Sequence, residues 1–368
     1  MTTLAPDRED QRIEKSPSLW RSMLRVTWIQ HRASLLIMIA IFGLVAAFMI
    51  ATGLSVHGEY AKYLSNKCSY FGTFSFNQSE CPNLGTSLLH SLNNLTIVDI
   101  FMHVVPILIA MFIGAPLVAR EVESGTYQFA WTQGTPRSSW LTMKLLFLGV
   151  IVVVLAIPLG LIASWYAQPV DAIGFASHWQ PGQFGVTAVT LPALCLTGLL
   201  AGVLIGVLLK KIVSAIATAG LVVGSLVVGI FAYLDNAIFS IHTTATAWYP
   251  SDGNIGVVNR FAPVGIGPKG SWGGWLVNIW YEGQNGVHLS TAKGVQILGR
   301  IFASYPKTQQ VEPPQYVSTW LANHHYSFWI SYQPANRYWM TQSFEAAIVL
   351  GVGFVLLKVT MKVIRRFV

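Results

Sequence analysis

Six stretches of about twenty nearly uninterrupted apolar residues constrain what this chain can fold into more than any other feature. They lie near 34–56, 97–119, 145–165, 184–209, 212–234 and 344–364. A helix of that length crosses the roughly 30 Å hydrocarbon core of a bilayer. No water is available there to satisfy a backbone N–H or C=O, so each stretch must bond its own peptide groups as a helix. Only 10% of the residues are charged and 53% are hydrophobic, and the mean hydropathy is +0.52, far from the composition of a soluble domain. The first stretch is too long, and begins too far from Met1, to be the apolar core of a signal peptide. It is expected to stay in the membrane.

Basic residues set the orientation, because Lys and Arg near short loops are retained on the cytoplasmic side. With both termini inside, the inner parts carry fifteen Lys and Arg against six acids, and the outer parts eight against nine. That asymmetry predicts a six-helix polytopic all-α protein, N-in and C-in, with residues 235–343 forming an extracellular segment of roughly 110 residues. The pI of 9.4 is then a topological signal, and nucleic acid is not an expected partner.

The organisation along the chain follows. Residues 1–33 read as a cytoplasmic tail ending in an interfacial helix, LWRSMLRVTWIQHR, with Trp20 and Trp28 toward the lipid boundary and Arg21, Arg25 and Arg32 toward headgroups. Residues 34–234 hold spans one to five, with a cytoplasmic loop over 120–144, and residues 344–368 hold the sixth span and a cytoplasmic end. In the first outer loop Cys68 and Cys81 could close a disulfide loop in an oxidising compartment or remain two thiols. Cys195 falls mid-span, as a small packing residue would. Gly198, Gly202 and Gly206, then Gly220 and Gly224, recur every four residues, which lets helix backbones approach closely, either within the chain or across a homodimer. Pro106, Pro158 and Pro192 interrupt three spans. In the outer segment, 272–283 and 292–304 have helix-like apolar spacing, whereas 326–332 alternates like a strand.

Catalytic signatures are missing from the sequence: it contains no HExxH, GxSxG, CxxC or phosphate-binding GxxxxGK[ST] pattern. No metal site is expected; the His324–His325 pair lacks a carboxylate or Cys at ligand spacing and reads as a surface pair. One ionisable residue reads as lying inside a span, Asp99, about two residues into its helix and followed one turn later by His103. It is either a hydrated helix-end acid or an element of a transport path.

The short cytoplasmic stretch AREVESGTYQFAWTQGTPRSSWLTMK, residues 119–144, is the densest in charge between two apolar runs. With the following Leu145 it resembles the first inner loop of ABC-2 type transporter permeases: an Arg-Glu pair at Arg120 and Glu121, a second acid at Glu123, the Gly125–Thr126 break, a Pro136–Arg137 turn, and Lys144 leading into the next helix. RVTWIQHR at 25–32 and YQPANRYWMTQSFE at 332–345 are similar to flanking segments of the actinobacterial-type branch. The outer segment is the part least covered by the resemblance. Relatives often carry a Ser/Thr-Arg turn where this chain has TPRSSW.

The resemblance implies a permease that pairs with a second permease copy and two copies of a cytoplasmic ABC ATPase in a bacterial plasma membrane. ATP and Mg would then be bound by the partner and not by this chain. It also implies that 120–144 is the coupling loop, where Glu121 and Glu123 could accept bonds from basic residues of the ATPase, while Arg120 snorkels or pairs with either acid. Few charges in the spans favour an amphipathic or lipophilic cargo over a small ion, and export is the expected direction. The alternative class is a non-transporting membrane immunity or sensor protein that binds a ligand through its extracellular segment.

Overall fold

The computed structural model describes residues 19–66, 83–84, 87, 93–126, 137–172, 184–187, 189–234, 244–248, 275–283, 286–304, 319–321 and 323–366. Six of its helices are long and apolar enough to cross a membrane. The first, α1, runs Leu19–Ser65 without interruption. At 1.5 Å per residue it is about 70 Å long, more than twice the hydrocarbon thickness, so it extends beyond the bilayer. The stretch 19–32, read as an interfacial helix leading directly into the first span, is continuous with that span as one helix, and the physical reason is local. Between His31 and Leu36 there is no Gly or Pro to kink the chain. Thr27 and His31 face inward, whereas Arg25, Trp28 and Arg32 are exposed. Trp20 and Arg21 lie on the same helix, and their side chains are outside the described residues.

The second span, α2, comprises Asn93–Ile109, a single π turn at Ala110–Gly114, and Ala115–Glu123. α3 spans Arg137–Ala172, α4 Thr190–Leu209, and α5 Ile212–Gly229, extended by a π turn at Ile230–Leu234. The last span, here α7, runs Tyr338–Arg365. In α4, 78% of the most apolar window is buried inside the protein, against 22–44% in the others. It is thus the hub on which α2, α3, α5 and α7 pack, while residues such as Leu44, Leu221 and Val213 keep apolar faces outward.

The glycines explain how α4 can be so enclosed. A Cβ on Gly198 would stand 2.7 Å from the Pro106 carbonyl oxygen, and those on Gly202 and Gly206 would overlap the carbonyl oxygens of Ala110 and Ala115. The glycines advance by four and four, their partners on α2 by four and five. The π turn accounts for the extra residue: the Ala115 N–H bonds to the Ala110 oxygen, five residues back, and this brings Ala115 and not Gly114 opposite Gly206. On α5, Gly220 lies against the Met111 side chain and Gly224 against Ile107. All five glycines thus pack against α2 within one chain.

The described residues between α5 and α7 contain a four-stranded antiparallel sheet in the order β1-β4-β2-β3, with β1 at Thr244–Trp248, β2 at Trp275–Glu282, β3 at His288–Leu289 and β4 at Ser327–Gln333. A short helix, α6, occupies Thr291–Ala303. The all-α expectation therefore holds for the membrane-spanning part, and this segment adds a sheet. Residues 327–333 are a strand and 291–303 a helix, as their periodicities predict. The helical expectation for 272–283 is corrected to β2. Its run of aromatic and β-branched residues suits a pleated surface, and β4 supplies a pairing partner across which Trp280 stacks on Trp329 at 6.1 Å. Cys68, Cys81 and Pro136 lie outside the described residues.

Candidate functional site at the basic end of the bundle

Hydrogen bonds and ion pairs gather the start of α1, the end of α2, the start of α3 and the α4–α5 turn at one end of the bundle. This end carries the charge-dense stretch read from the sequence. α2 stops there because Gly125 adopts a left-handed φ of +72°, which a glycine reaches without a Cβ clash. Its N–H bonds to the Val122 oxygen, and the Ser124 N–H bonds to the Arg120 oxygen. The Gly-Thr break is thus a helix stop, with Thr126 Oγ1 3.0 Å from Ser124 Oγ.

Both acids bond within the chain. Glu121 is buried, 8% exposed, and its carboxylate pairs with the ammonium of Lys144, 3% exposed, on α3. Lys144 also donates to Gln30 Oε1 of α1 at 3.3 Å and lies 4.4 Å from the centre of the Trp140 ring. A buried ion pair is retained only when both charges find partners, because desolvation costs several kcal/mol per ion. Here a carboxylate, an amide oxygen and an aromatic face surround one ammonium. The expectation that Glu121 receives a basic residue of an ATPase is corrected accordingly, and so is its pairing with Arg120.

Glu123 is exposed, yet its Oε2 accepts the backbone N–H of Ile212 at 2.8 Å. It caps the start of α5, where four N–H groups lack intrahelical partners and the helix dipole favours a negative charge. Only Lys210 and Lys211 separate α4 from α5. Lys210 takes the turn at a φ of 59°, uncommon for a side-chain-bearing residue. The last turn of α2 therefore holds α1 and α3 through Glu121 and Lys144, and α5 through Glu123. Arg25, Arg32, Arg120, Lys210 and Lys211 are exposed around this clamp, and Arg137 is half-buried.

Sequence reading turned both acids toward a partner, whereas Glu121 is paired with Lys144 and the exposed Glu123 accepts the Ile212 N–H. It also missed Gln30, whose signal was weak: it is a polar residue two positions from the exposed Arg32 on a helix that reads as amphipathic.

A second site lies between α2 and α5. Asp99 and His103, together with Ile100, Val104, Ile107, Val227, Val228 and Phe231, line a groove of about 430 Å³. His103 Nδ1 bonds to the Asp99 carbonyl oxygen at 2.7 Å, and its ring meets Phe231 edge-on at 5.6 Å. Because α2 begins at Asn93, Asp99 stands about 9 Å into the helix, deeper than the two residues expected. Elsewhere, His324 stacks on Trp320 at 3.8 Å and its Nδ1 bonds to the Trp320 oxygen at 2.8 Å.

The family profile described as ABC-2 membrane transporter related matches residues 39–234. That range takes in most of α1, all of α2 to α5 and the whole clamp except Gln30, and it stops before the sheet. No curated protein and no solved structure matches the chain.

Proposed function

Given that the chain belongs to the ABC-2 membrane transporter related family and is a multi-pass permease component, we propose that it exports an amphipathic or lipophilic cargo, driven by a separate ABC ATPase. The working unit would be two permease copies and two ATPase copies in a bacterial plasma membrane, with ATP and Mg held by the ATPase. The observation that carries the coupling role is the clamp, in which one helix end grips three other spans through Glu121, Lys144 and Glu123. A push on that end moves α1, α2, α3 and α5 together. Glu123 is bonded to a backbone N–H, and the other exposed charges at this end are cationic: Arg120, Lys210 and Lys211, flanked by Arg25 and Arg32. The complementary ATPase surface would therefore be acidic. The groove beside Asp99 and His103, apolar but for a carboxyl and an imidazole, suits an amphipathic cargo.

The test is purification of the chain from its own membranes under mild conditions, followed by ATP hydrolysis in lipid nanodiscs. A Walker-motif ATPase should co-purify, and replacing Arg120, Lys210 and Lys211 with Glu should weaken its retention about ten- to a hundredfold, the equivalent of one charge-assisted contact of about 1.5–3 kcal/mol. Isolation of the chain with no nucleotide-binding partner would overturn the proposal and leave the sensor reading.

A further inference from the structure

The seam between α4 and α7 contains an acid that neither the clamp nor the groove uses. Glu345 lies seven residues from the start of α7 and is 0% exposed. The charge count placed it among the nine outer acids, although it falls inside the last apolar stretch, 344–364. Neither of its carboxyl oxygens has a hydrogen-bond partner.

Two contacts bracket its surroundings. On one side Gln342 Nε2 donates to the Phe184 oxygen at 2.5 Å; on the other the Thr197 hydroxyl donates to the Val349 oxygen at 3.0 Å. Between them α7 presents Glu345 one turn from Gln342 on the same face, and α4 presents the interval that begins at Thr190. Thr190 Oγ1 and Gln342 Oε1 are also buried without partners. All four oxygens are buried acceptors left without a donor, and the only hydrogen they own is that of the Thr190 hydroxyl.

No cation answers this acid among the described residues of the elements packed on it. α4 carries no charged residue and contributes Cys195 as its titratable group. α5 and its π turn contribute Leu226, Ile230 and Leu234. On α3 the titratable side chains among the described residues are Arg137, at the far end of that helix beside the clamp, Lys144, which is committed to Glu121, and Tyr166. On α7 itself Tyr338 Oη accepts from Gln342.

An ionised carboxylate left in such a place costs several kcal/mol. A hard metal cation such as calcium or magnesium would need about six oxygen ligands, and Glu345 supplies two. A proton needs no cavity and turns one acceptor into the missing donor.

We propose that Glu345 is a proton-binding site, held protonated at neutral pH inside the closed α4–α7 seam, and that opening the seam hydrates the carboxyl and releases the proton to water. The site makes the seam sensitive to pH from within the membrane part, independently of any ATPase.

Infrared spectroscopy of the full-length protein in nanodiscs tests this. At pH 7, the wild-type spectrum minus that of Glu345→Gln should contain a protonated-carboxyl stretch that shifts in heavy water and is unchanged when sodium replaces potassium. Glu345→Gln copies the protonated shape and has no proton to lose on unfolding, so it should melt close to wild type near pH 4 and above it at pH 7. Between those values wild type should lose thermal stability as pH rises, because its carboxyl ionises only when the chain unfolds, and the variant should hold it. If the variant fails to fold, titration of the wild-type band with ¹³C-labelled glutamate, which separates it from Asp99, reads the same proton. A carboxylate band at pH 7, a band abolished by sodium, or equal pH dependence in both proteins would overturn the proposal.

Discussion

At the scale of single residues, the most consequential side chain is one whose charge reads as a surface feature and is not. Glu121 and Lys144 neutralise each other away from water, so removing one strands the other. Glu121→Ala is expected to cost about 3–5 kcal/mol, whereas replacing the pair with Leu and Met should be neutral or stabilising, because it removes the desolvation penalty along with the attraction. Thermal melts in detergent measure both. A Glu121→Ala melt equal to wild type would show that the acid is solvated after all. Glu123 is a different case, an exposed acid bonded to one backbone N–H. Glu123→Ala should cost about 0.5–2 kcal/mol and speed hydrogen exchange at the first amides of α5, leaving the exchange of α3 unchanged. Uniform exchange across both helices would remove the capping role.

Among elements, the α2–α4 contact is set by backbone and not by side-chain volume. Gly202 has no room for a Cβ beside the Ala110 carbonyl, while Gly43 on α1 has nothing within 4 Å. Gly202→Ala should therefore destabilise by about 1–3 kcal/mol through overpacking, and Gly43→Ala should be neutral or stabilise by up to about 1 kcal/mol through helix propensity. The comparison separates a packing constraint from the general effect of glycine in helices. Equal effects of the two substitutions would mean that the seam yields and the π turn does not set its register. The same seam shows what periodicity conveys: the four-residue recurrence of glycine marks a close helix contact, yet it holds no information on which helix answers it, since the partner positions on α2 follow a four-then-five spacing that only the π turn creates.

For the whole molecule, the arrangement predicts two chemically distinct ends. Single cysteines placed at Gly125 or Lys211 should be inaccessible to a membrane-impermeant thiol reagent applied outside intact cells, and one at Val287 beside the sheet should react. The opposite pattern would invert the bundle and place the basic end where no ATPase can reach it. The native Cys68 and Cys81 enter the same experiment. If they are bonded, they will label only after reduction; labelling of both before reduction would show two free thiols.

Span number, helical character, the end at which charge collects and the strand at 327–333 were legible because each is a local property. A bilayer-length apolar run has one way to satisfy its backbone, and an alternating segment has one face to bury. The stretch 119–144 was recognisable for the same reason, since its turn residues and charges are contiguous. What contiguity cannot convey is direction. Whether Glu121 points to solvent or to Lys144, twenty-three positions away, depends on where α3 returns beside α2. Whether Glu345 is hydrated depends on α4 covering it, and whether 275–282 is a helix or a strand depends on β4 arriving to pair with it. Tertiary structure alone decided these, because burial and pairing are properties of what packs against a residue, and that neighbour is supplied from elsewhere in the chain.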